Sequence, residues 1–226
     1  MKRIACLLVL ALLPIALFCR DVRAETKENA EVIVEKARIV LEEMMLSRDG
    51  GIPTWLIKKC AGLAIIPDMI KGGFVVGGSY GKGIVMAHKD GKWTGPAFIY
   101  LGAGSFGFQI GVQSTDLILV IVGQKTLESF LQSQFKLGAD VAVAAGPVGA
   151  QATAATEIML KGGIYSYSRA KGLFAGISLE GAGIGTDFDL NRALYTSVST
   201  TRDILFGDHE APPAAQELIA VLNKIK

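Results

Sequence analysis

The sequence predicts an α+β fold, in which a curved, mainly antiparallel β-sheet, barrel-like in its bend, is flanked by N- and C-terminal helices. Apolar residues of 106–112 alternate with Gly and Gln, the period of a strand with one buried face. Asp90-Gly91 separates two apolar runs, as a two-residue hairpin turn does. The continuous apolar run 117–122 is typical of a strand that is buried on both faces.

An amphipathic helix is predicted from Glu25 to Leu46, before the sheet. Its apolar residues recur at helical spacing and form one stripe: Ile33, Ala37, Val40, Leu41 and Met44. Its polar side carries four acids and two bases: Glu31, Glu35, Lys36, Arg38, Glu42 and Glu43. A helix that adheres to anionic lipid by charge has the opposite balance, so packing of this helix on the sheet is the favoured interpretation.

Shorter elements are predicted from turn and cap residues. Pro53 is expected to open a second helix, because its fixed φ suits the first helical position, and the first strand follows at 62–67. Thr126 is expected to cap a short helix after the central sheet. Pro212-Pro213 begins the last helix, whose apolar residues again share one side.

The N-terminus has the pattern of a secretory signal peptide over residues 1–24. Lys2 and Arg3 precede the apolar segment 4–18, and 22–24 offers small residues before Glu25. Fifteen apolar residues are fewer than the ~20 that span a bilayer, although a retained anchor stays an alternative. We therefore predict an exported chain, periplasmic or secreted, with one domain over 25–226.

Charge and cysteine content exclude several classes of protein. Without the leader, the chain has 19 basic and 20 acidic residues, so the overall basic charge of a nucleic-acid-binding domain is absent. Cys60 is the one cysteine beyond the leader, which excludes an internal disulfide and a cysteine-based zinc site. No cofactor or metal is predicted.

Three motifs that resemble catalytic or binding loops lack the context that their chemistry needs. Residues 102–107 match G-x-G-x-x-G, but a strand pattern follows where a dinucleotide site needs a helix. Residues 77–81 match G-x-S-x-G without a strand-to-helix turn. The segment that starts at Asp187 lacks the Gly and Glu of a calcium loop. We therefore predict that the protein is not an enzyme.

Basic residues near glycine-rich turns are the remaining candidates for a site. Lys58, Lys59, Lys82 and Lys171 are predicted to contact phosphate headgroups, and Trp55 is predicted to lie at the membrane interface. Each basic residue near an anionic membrane contributes ~1 kcal/mol. The alternative is that these lysines are scattered and solvated, as surface lysines usually are.

An ordered set of short motifs resembles the SYLF domain, a lipid-binding module of eukaryotic actin-patch and phosphoinositide-binding proteins. The resemblance covers residues 30–206. Its motifs are AGLAI at 61–65, GF at 73–74, YGKG at 80–83, WTGP at 93–96, GFQIG at 107–111, GPVG at 146–149 and YSYSRAKGLFAG at 165–176.

The resemblance implies binding to membrane lipids, which are phosphoinositides in eukaryotes, and no enzymatic activity. It also implicates the N-terminal amphipathic helix, which matches residues 31–45, although the acidic face of that stretch departs from a basic anchor. Actin bundling in the family relies partly on other regions and on cytosolic exposure, so it is not expected of an exported chain without an SH3 module.

The resulting hypothesis is peripheral binding of anionic phospholipid or phosphoinositide headgroups by an exported, non-enzymatic domain. Two alternatives stay open, namely a lipid carrier with an internal apolar cavity and a structural or interaction protein of the cell envelope. The sequence leaves the lipid species and the oligomeric state open.

Overall fold

The fold combines one large sheet with six helices in the part of the chain that the computed structural model describes. That part comprises residues 26–47, 51–73, 76–106, 111–133, 135–148, 163–170, 173–174, 179, 181–195, 200–207 and 209–225. The helices are α1 (Lys27–Leu46), α2 (Thr54–Lys59), α3 (Gln124–Phe130), α4 (Phe188–Leu194), α5 (Thr201–Phe206) and α6 (Pro213–Lys224). The strands are β1 (Gly62–Gly73), β2 (Val76–Lys89), β3 (Lys92–Phe106), β4 (Gly111–Val122), β5 (Phe135–Lys136), β6 (Val143–Ala145), β7 (Gly163–Ala170), β8 (Leu173–Phe174) and β9 (Gly183–Thr186).

The strands form one sheet in the order β5-β9-β3-β2-β1-β4-β7-β6, with β8 paired to β7. All described pairings are antiparallel except that of β6 with β7. The sheet curves into a half-barrel with helices at both ends of the chain. The predicted α+β class and the mainly antiparallel sheet are therefore confirmed.

The sheet is covered on both faces, which explains its apolar composition. The face that packs on α1, α2, α4 and α6 is called the front face. The face that packs on α3 and α5 is called the back face. In β4, Ile118 and Val120 belong to the front core, whereas Leu117 and Leu119 belong to the back core. Each of these four side chains is 0% exposed, so the prediction of a strand that is buried on both faces is confirmed.

Helix α1 crosses the front face and buries the predicted stripe. The Thr26 hydroxyl caps it by accepting the backbone N–H of Asn29 at 3.3 Å. Its buried side chains are Ala30, Val34, Ala37, Val40, Leu41 and Met44. The predicted member Ile33 lies at the edge and is only partly buried against the same core.

A one-residue bulge in β1 marks the level at which α1 crosses the sheet. Between Ile66 and Met69, β1 gains one residue relative to β4, and Asp68 has a φ of +48°. The carboxylate of Asp68 forms an ion pair with the ammonium group of Lys36 at 2.7 Å. The backbone N–H of Asp68 donates a hydrogen bond to the carboxylate of Asp116 at 3.1 Å. These contacts fix α1 across β1 and its neighbour.

Arg169 of β7 extends this line of charges. Its guanidinium lies 3.0 Å from Asp116 and also bonds Glu43 of α1. The contacts described here hold the polar edge of α1 along the bulge, from β1 through β4 to β7. Beyond this line, toward the β1–β2 and β3–β4 connections, the described part of α1 makes no ion pair with the sheet.

Two predicted helix starts are shifted, and the hairpin is confirmed. Pro53 precedes α2 as its N-cap instead of being its first residue, and α3 begins after Gly123, whose φ of +90° turns the chain, so Thr126 is not its cap. Asp90 and Gly91 have φ values of +52° and +74°, as a type I′ turn requires.

The motif-like segments lie in strands or at a cap. The described residues of 102–107 belong to β3, and 77–81 belong to β2. Asp187 caps α4, because its carboxylate accepts the backbone N–H of Leu190 at 3.1 Å.

Candidate functional site

One end of the sheet carries a group of exposed lysines, which we call the basic end: Lys58, Lys59, Lys89, Lys92 and Lys125. Lys58 and Lys59 form the last turn of α2, immediately before β1. Lys89 and Lys92 face each other across the β2–β3 hairpin. Lys125 lies in α3, which follows β4.

Backbone pairing at the start of β1 gathers these elements. The N–H of Ala61 donates to the carbonyl of Ile121 at 2.8 Å, and the N–H of His88 donates to the carbonyl of Ala61 at 2.8 Å. The ends of β2, β1 and β4 therefore lie side by side, with ~4.8 Å between neighbouring strands. The five lysines consequently project from one end of the sheet.

The hairpin and α2 are held together by buried and stacked groups. The imidazole Nδ1 of His88 lies 3.2 Å from the carbonyl of Cys60, at the end of α2. The His88 ring stacks on Trp93 with centroids 4.4 Å apart. Burial raises the pKa of Cys60 to about 12, so its thiol is a packed, protonated group.

The lysines of the basic end are not neutralised by ion pairs within the described part of the chain. Two acids accompany them, namely Asp90 in the hairpin and the half-buried Glu128 in α3. On α2, the β2–β3 hairpin and α3, five positive charges against two negative charges give an excess of three on these elements. Residues 25–226 carry 19 basic and 20 acidic residues, so this excess is local.

The predicted site residues do not all meet at the basic end. Lys58 and Lys59 lie there, and Trp55 lies on the same helix, half-buried against the front core. Its indole Nε1 is buried and has no hydrogen-bond partner among the residues that the structure describes. Lys82 faces Tyr100 in the middle of the front face, and its Nζ lies 3.0 Å from Asp187. Lys171 lies outside the described residues.

Lys82 has a structural role that its sequence context did not reveal. Asp187 is 9% exposed and caps α4, so the Lys82–Asp187 pair joins β2 to the start of that helix. Lys82 is five residues before Ala87, which pairs with Gly62, so it lies ~17 Å from the basic end at ~3.3 Å per residue. The geometry therefore separates Lys82 from Lys58 and Lys59.

The apolar stripe of α1, which the resemblance implicates in lipid binding, is enclosed in this fold. Its central residues Ala37 and Leu41 are 0% exposed. Contact of this stripe with lipid would require α1 to leave the sheet and to break its pairs with Asp68 and Arg169. In the folded domain this stripe is therefore part of the core and not a free surface.

The family of the chain follows from comparison with known proteins. The family described as "Ysc84: Las17-binding protein actin regulator" matches residues 102–225, just over half of the sequence. The chain belongs to the Ysc84 family, which is also called the SYLF family. The expected resemblance is thereby confirmed, and Ysc84-family proteins are linked by this description to actin regulation.

Curated relatives extend the match over 208 residues, or 90% of the chain. It is 35% identical to "Protein YSC84" of Saccharomyces cerevisiae and covers 44% of that protein. It is 34% identical to "SH3 domain-containing YSC84-like protein 1" of Homo sapiens and covers 59% of it. The chain thus spans about half the length of the curated relatives that it matches.

Two further properties concern the described residues alone. None of the helices described combines the length and the apolar character that crossing a bilayer requires. The described His, Cys, Asp and Glu side chains form no group of three that could hold a metal ion.

Sequence reasoning missed three of the five lysines at the basic end, namely Lys89, Lys92 and Lys125. Lys89 and Lys92 flank the predicted Asp90-Gly91 turn, so that hairpin already placed them together. Lys125 could be added only with the knowledge that β4 lies beside β1, which the sequence alone does not state.

Proposed function

We propose that this Ysc84-family domain binds anionic phospholipid headgroups at a membrane surface, without enzymatic chemistry, and that the basic end is the contact. The observation that carries the proposal is the group of five exposed lysines without ion pairs among the described residues. A phosphate-bearing surface is a broad, negatively charged partner, which suits lysines on several neighbouring elements better than it suits a deep pocket.

The charge excess is large enough to matter. At ~1 kcal/mol for each basic residue near an anionic membrane, a net excess of three charges favours the surface by roughly 3 kcal/mol, or about 100-fold in affinity. Lys58 and Lys59 also end helix α2, where positive side chains face the negative end of the helix dipole. The predicted leader would place the domain at a bilayer of the cell envelope.

Vesicle flotation tests the proposal. The exported protein is mixed with phosphatidylcholine vesicles that contain rising fractions of phosphatidylglycerol. We expect binding to rise with the anionic fraction and to fall with salt, because exposed charges are screened. Lys58→Glu combined with Lys59→Glu should lower binding to the anionic vesicles at least tenfold.

A matched control separates the site from net charge. Lys136→Glu combined with Lys224→Glu changes the net charge equally at exposed lysines outside the basic end, and this variant should retain most of the binding. Equal losses in the two variants would show a nonspecific charge effect, and no loss in either would remove the basic end from the proposal.

The lipid-carrier alternative gains less support from the geometry. Among the described residues, a cleft between β3, α3, β9 and α5 has a cavity volume of about 10 Å³, whereas pockets for drug-sized ligands hold ~300–1,000 Å³. The glycines of the covered sheet allow close packing instead of forming a cavity, since a Cβ at Gly81 would lie 2.6 Å from Ile66. The envelope-interaction alternative stays a prediction that sizing and binding measurements address.

A further inference from the structure

The front face of the sheet changes character beyond the line where α1 crosses it. Val120 and Val112 lie on the same face of β4, yet Val120 is 0% and Val112 is 80% exposed. Along β1 and β2 the change is similar, because Ile65 and Ile84 are 0% exposed whereas Ile70 is 57% exposed. We call the segments 70–73, 76–80, 102–106 and 111–114 the tip.

The strand register fixes what the front face of the tip presents. One row contains Gly102, Tyr80, Ile70 and Ser114, and the next row, nearer the end, contains Gly104, Gly78, Gly72 and Val112. These two rows contain no charged residue. The described tip has one charged side chain, Lys71, which belongs to the opposite face because it adjoins Ile70 along the strand.

Aromatic side chains lie at graded heights on this face. Tyr80 is 53% exposed and is level with Ile70 in the register. Tyr100 is 41% exposed and lies one row further from the end, against the backbone of Gly185. Val112 therefore lies nearest the end, Ile70 and Tyr80 share the next row, and Tyr100 lies one row behind them. An aliphatic side chain at the end with tyrosines behind it is the order found from the acyl region to the headgroup level of a bilayer.

The size of the face decides between a second protein copy and a bilayer. Four strands ~4.8 Å apart and three residue levels give an area on the order of 200 Å². A stable protein–protein interface buries ~800 Å² on each partner, so the described residues of the tip are by themselves too small for a lasting dimer. Shallow insertion, by contrast, buries an apolar surface only ~5–10 Å deep, which four strand residues at ~3.3 Å each can reach.

We propose that the tip inserts into the interfacial region of a phospholipid bilayer, with Val112 facing acyl chains, Ile70 and Tyr80 at the boundary with the headgroups, and Tyr100 at headgroup level. Because this face is uncharged, its insertion does not require anionic lipid. This surface is separate from the basic end, since the twelve residues of β1 from Gly62 to Gly73 span ~36 Å. One flat bilayer therefore contacts only one of the two ends at a time.

A fluorophore at the tip tests the proposal. The protein with Val112→Cys is labelled at that position with the polarity-sensitive dye NBD. Cys6 and Cys19 lie in the predicted leader and are replaced by serine in any form of the protein that keeps it. Cys60 is buried and protonated and stays unlabelled. Leu46→Cys is the matched control, because Leu46 on α1 is also 80% exposed.

With vesicles of pure phosphatidylcholine, we expect a blue shift and at least fivefold weaker iodide quenching for the dye at position 112, and no change at position 46. Ile70→Ser combined with Val112→Ser should lower partition into the same vesicles at least tenfold without lowering the melting temperature. The Ile70→Ser and Val112→Ser substitutions replace exposed side chains, so the fold is expected to persist.

Three results would overturn the proposal. The first is that the protein does not bind phosphatidylcholine vesicles. The second is that the protein binds but the dye at position 112 stays exposed to iodide. The third is a blue shift that grows with protein concentration in the absence of vesicles, which would assign the face to a second copy. Lys58→Glu with Lys59→Glu should leave the signal at position 112 unchanged on neutral vesicles. The tip and the basic end can thus fail independently.

Discussion

The two halves of the central sheet are built from the same four strands but differ in what surrounds them. In the covered half, helices close both faces and glycines are needed for space. A Cβ at Gly83 would overlap the carbonyl of Ile65. In the tip, a Cβ at Gly102 or Gly104 would meet nothing within 4 Å. Glycines in these strands therefore have two structural roles. They allow close packing in the covered half, and they leave an open, flat surface in the tip.

The residues that stabilise this domain are different from the residues that it exposes at its two ends. The apolar residues of the covered half are almost all consumed by the two cores. The lysines of the basic end and the apolar side chains of the tip lie beyond those cores. Substitutions at either end are therefore expected to change binding more than the free energy of unfolding.

The largest expected effect is that of a side chain at Gly83. Gly83→Val should lower the free energy of unfolding by at least about 3 kcal/mol, because the bulge of β1 leaves no room. Gly104→Val in the tip is the control and should change stability by less than about 1 kcal/mol. Urea unfolding of the two variants measures the difference, and equal losses would contradict the division into a covered half and a tip.

A smaller effect is expected at Asn191, which fixes α4 over the covered half. Its side chain accepts the N–H of Phe98 at 2.8 Å and donates to the carbonyl of Phe98 at 3.1 Å. Asn191→Leu leaves the buried N–H of Phe98 unpaired, whereas the carbonyl of Phe98 still accepts the N–H of Asp187 at 3.0 Å, so the substitution should cost about 1–3 kcal/mol. Thermal unfolding tests this, and a melting temperature equal to that of the parent would show that the backbone finds other partners.

The two valines on the same face of β4 give a matched pair. Val120→Ala creates a cavity in the front core and should cost about 2 kcal/mol, whereas Val112→Ala removes exposed atoms and should stay within about 0.5 kcal/mol. Chemical denaturation of both variants measures the ratio. A large loss at Val112 would mean that another part of the chain packs on the tip.

The smallest effect concerns reactivity alone. Because burial raises the pKa of Cys60 to about 12, its thiol stays protonated at pH 8 in the folded protein. We expect a thiol reagent to label Cys60 at least 100-fold more slowly than in urea, where the pKa returns to ~8.5. Rapid labelling of the folded protein would show that the junction of α2 with β1 opens readily.

The sequence predicted the strands and the first helix well, because their signals are local. The turn at Asp90-Gly91 and the stripe of α1 depend only on neighbouring residues. The alternating strand predicted over 106–112 falls mostly on residues 107–110, which lie outside the described part of the chain, while Phe106 ends β3 and Gly111 begins β4. The bulge at Asp68 was not predicted, since a positive φ at an aspartate becomes favourable only with its partners Lys36 and Asp116.

The candidate site was predicted only in part, for a similar reason. Lys58 and Lys59 were found from their position beside Trp55. Lys82 looked equivalent to them, but its partner Asp187 is distant in the sequence and is brought near by the pairing of β3 with β9. Lys125 was missed because β4 returns beside β1. Long-range strand order, which no local pattern encodes, decided both outcomes.

Lysine footprinting on vesicles tests the central proposal, that the basic end contacts anionic lipid, most directly. The protein is acetylated briefly, free and bound to vesicles that contain phosphatidylglycerol, and each lysine is quantified by mass spectrometry. We predict that Lys58, Lys59, Lys89, Lys92 and Lys125 become at least fivefold less reactive, whereas the exposed Lys136 and Lys224 keep their reactivity. Bound protein in which those five lysines react as fast as in the free protein would contradict the account.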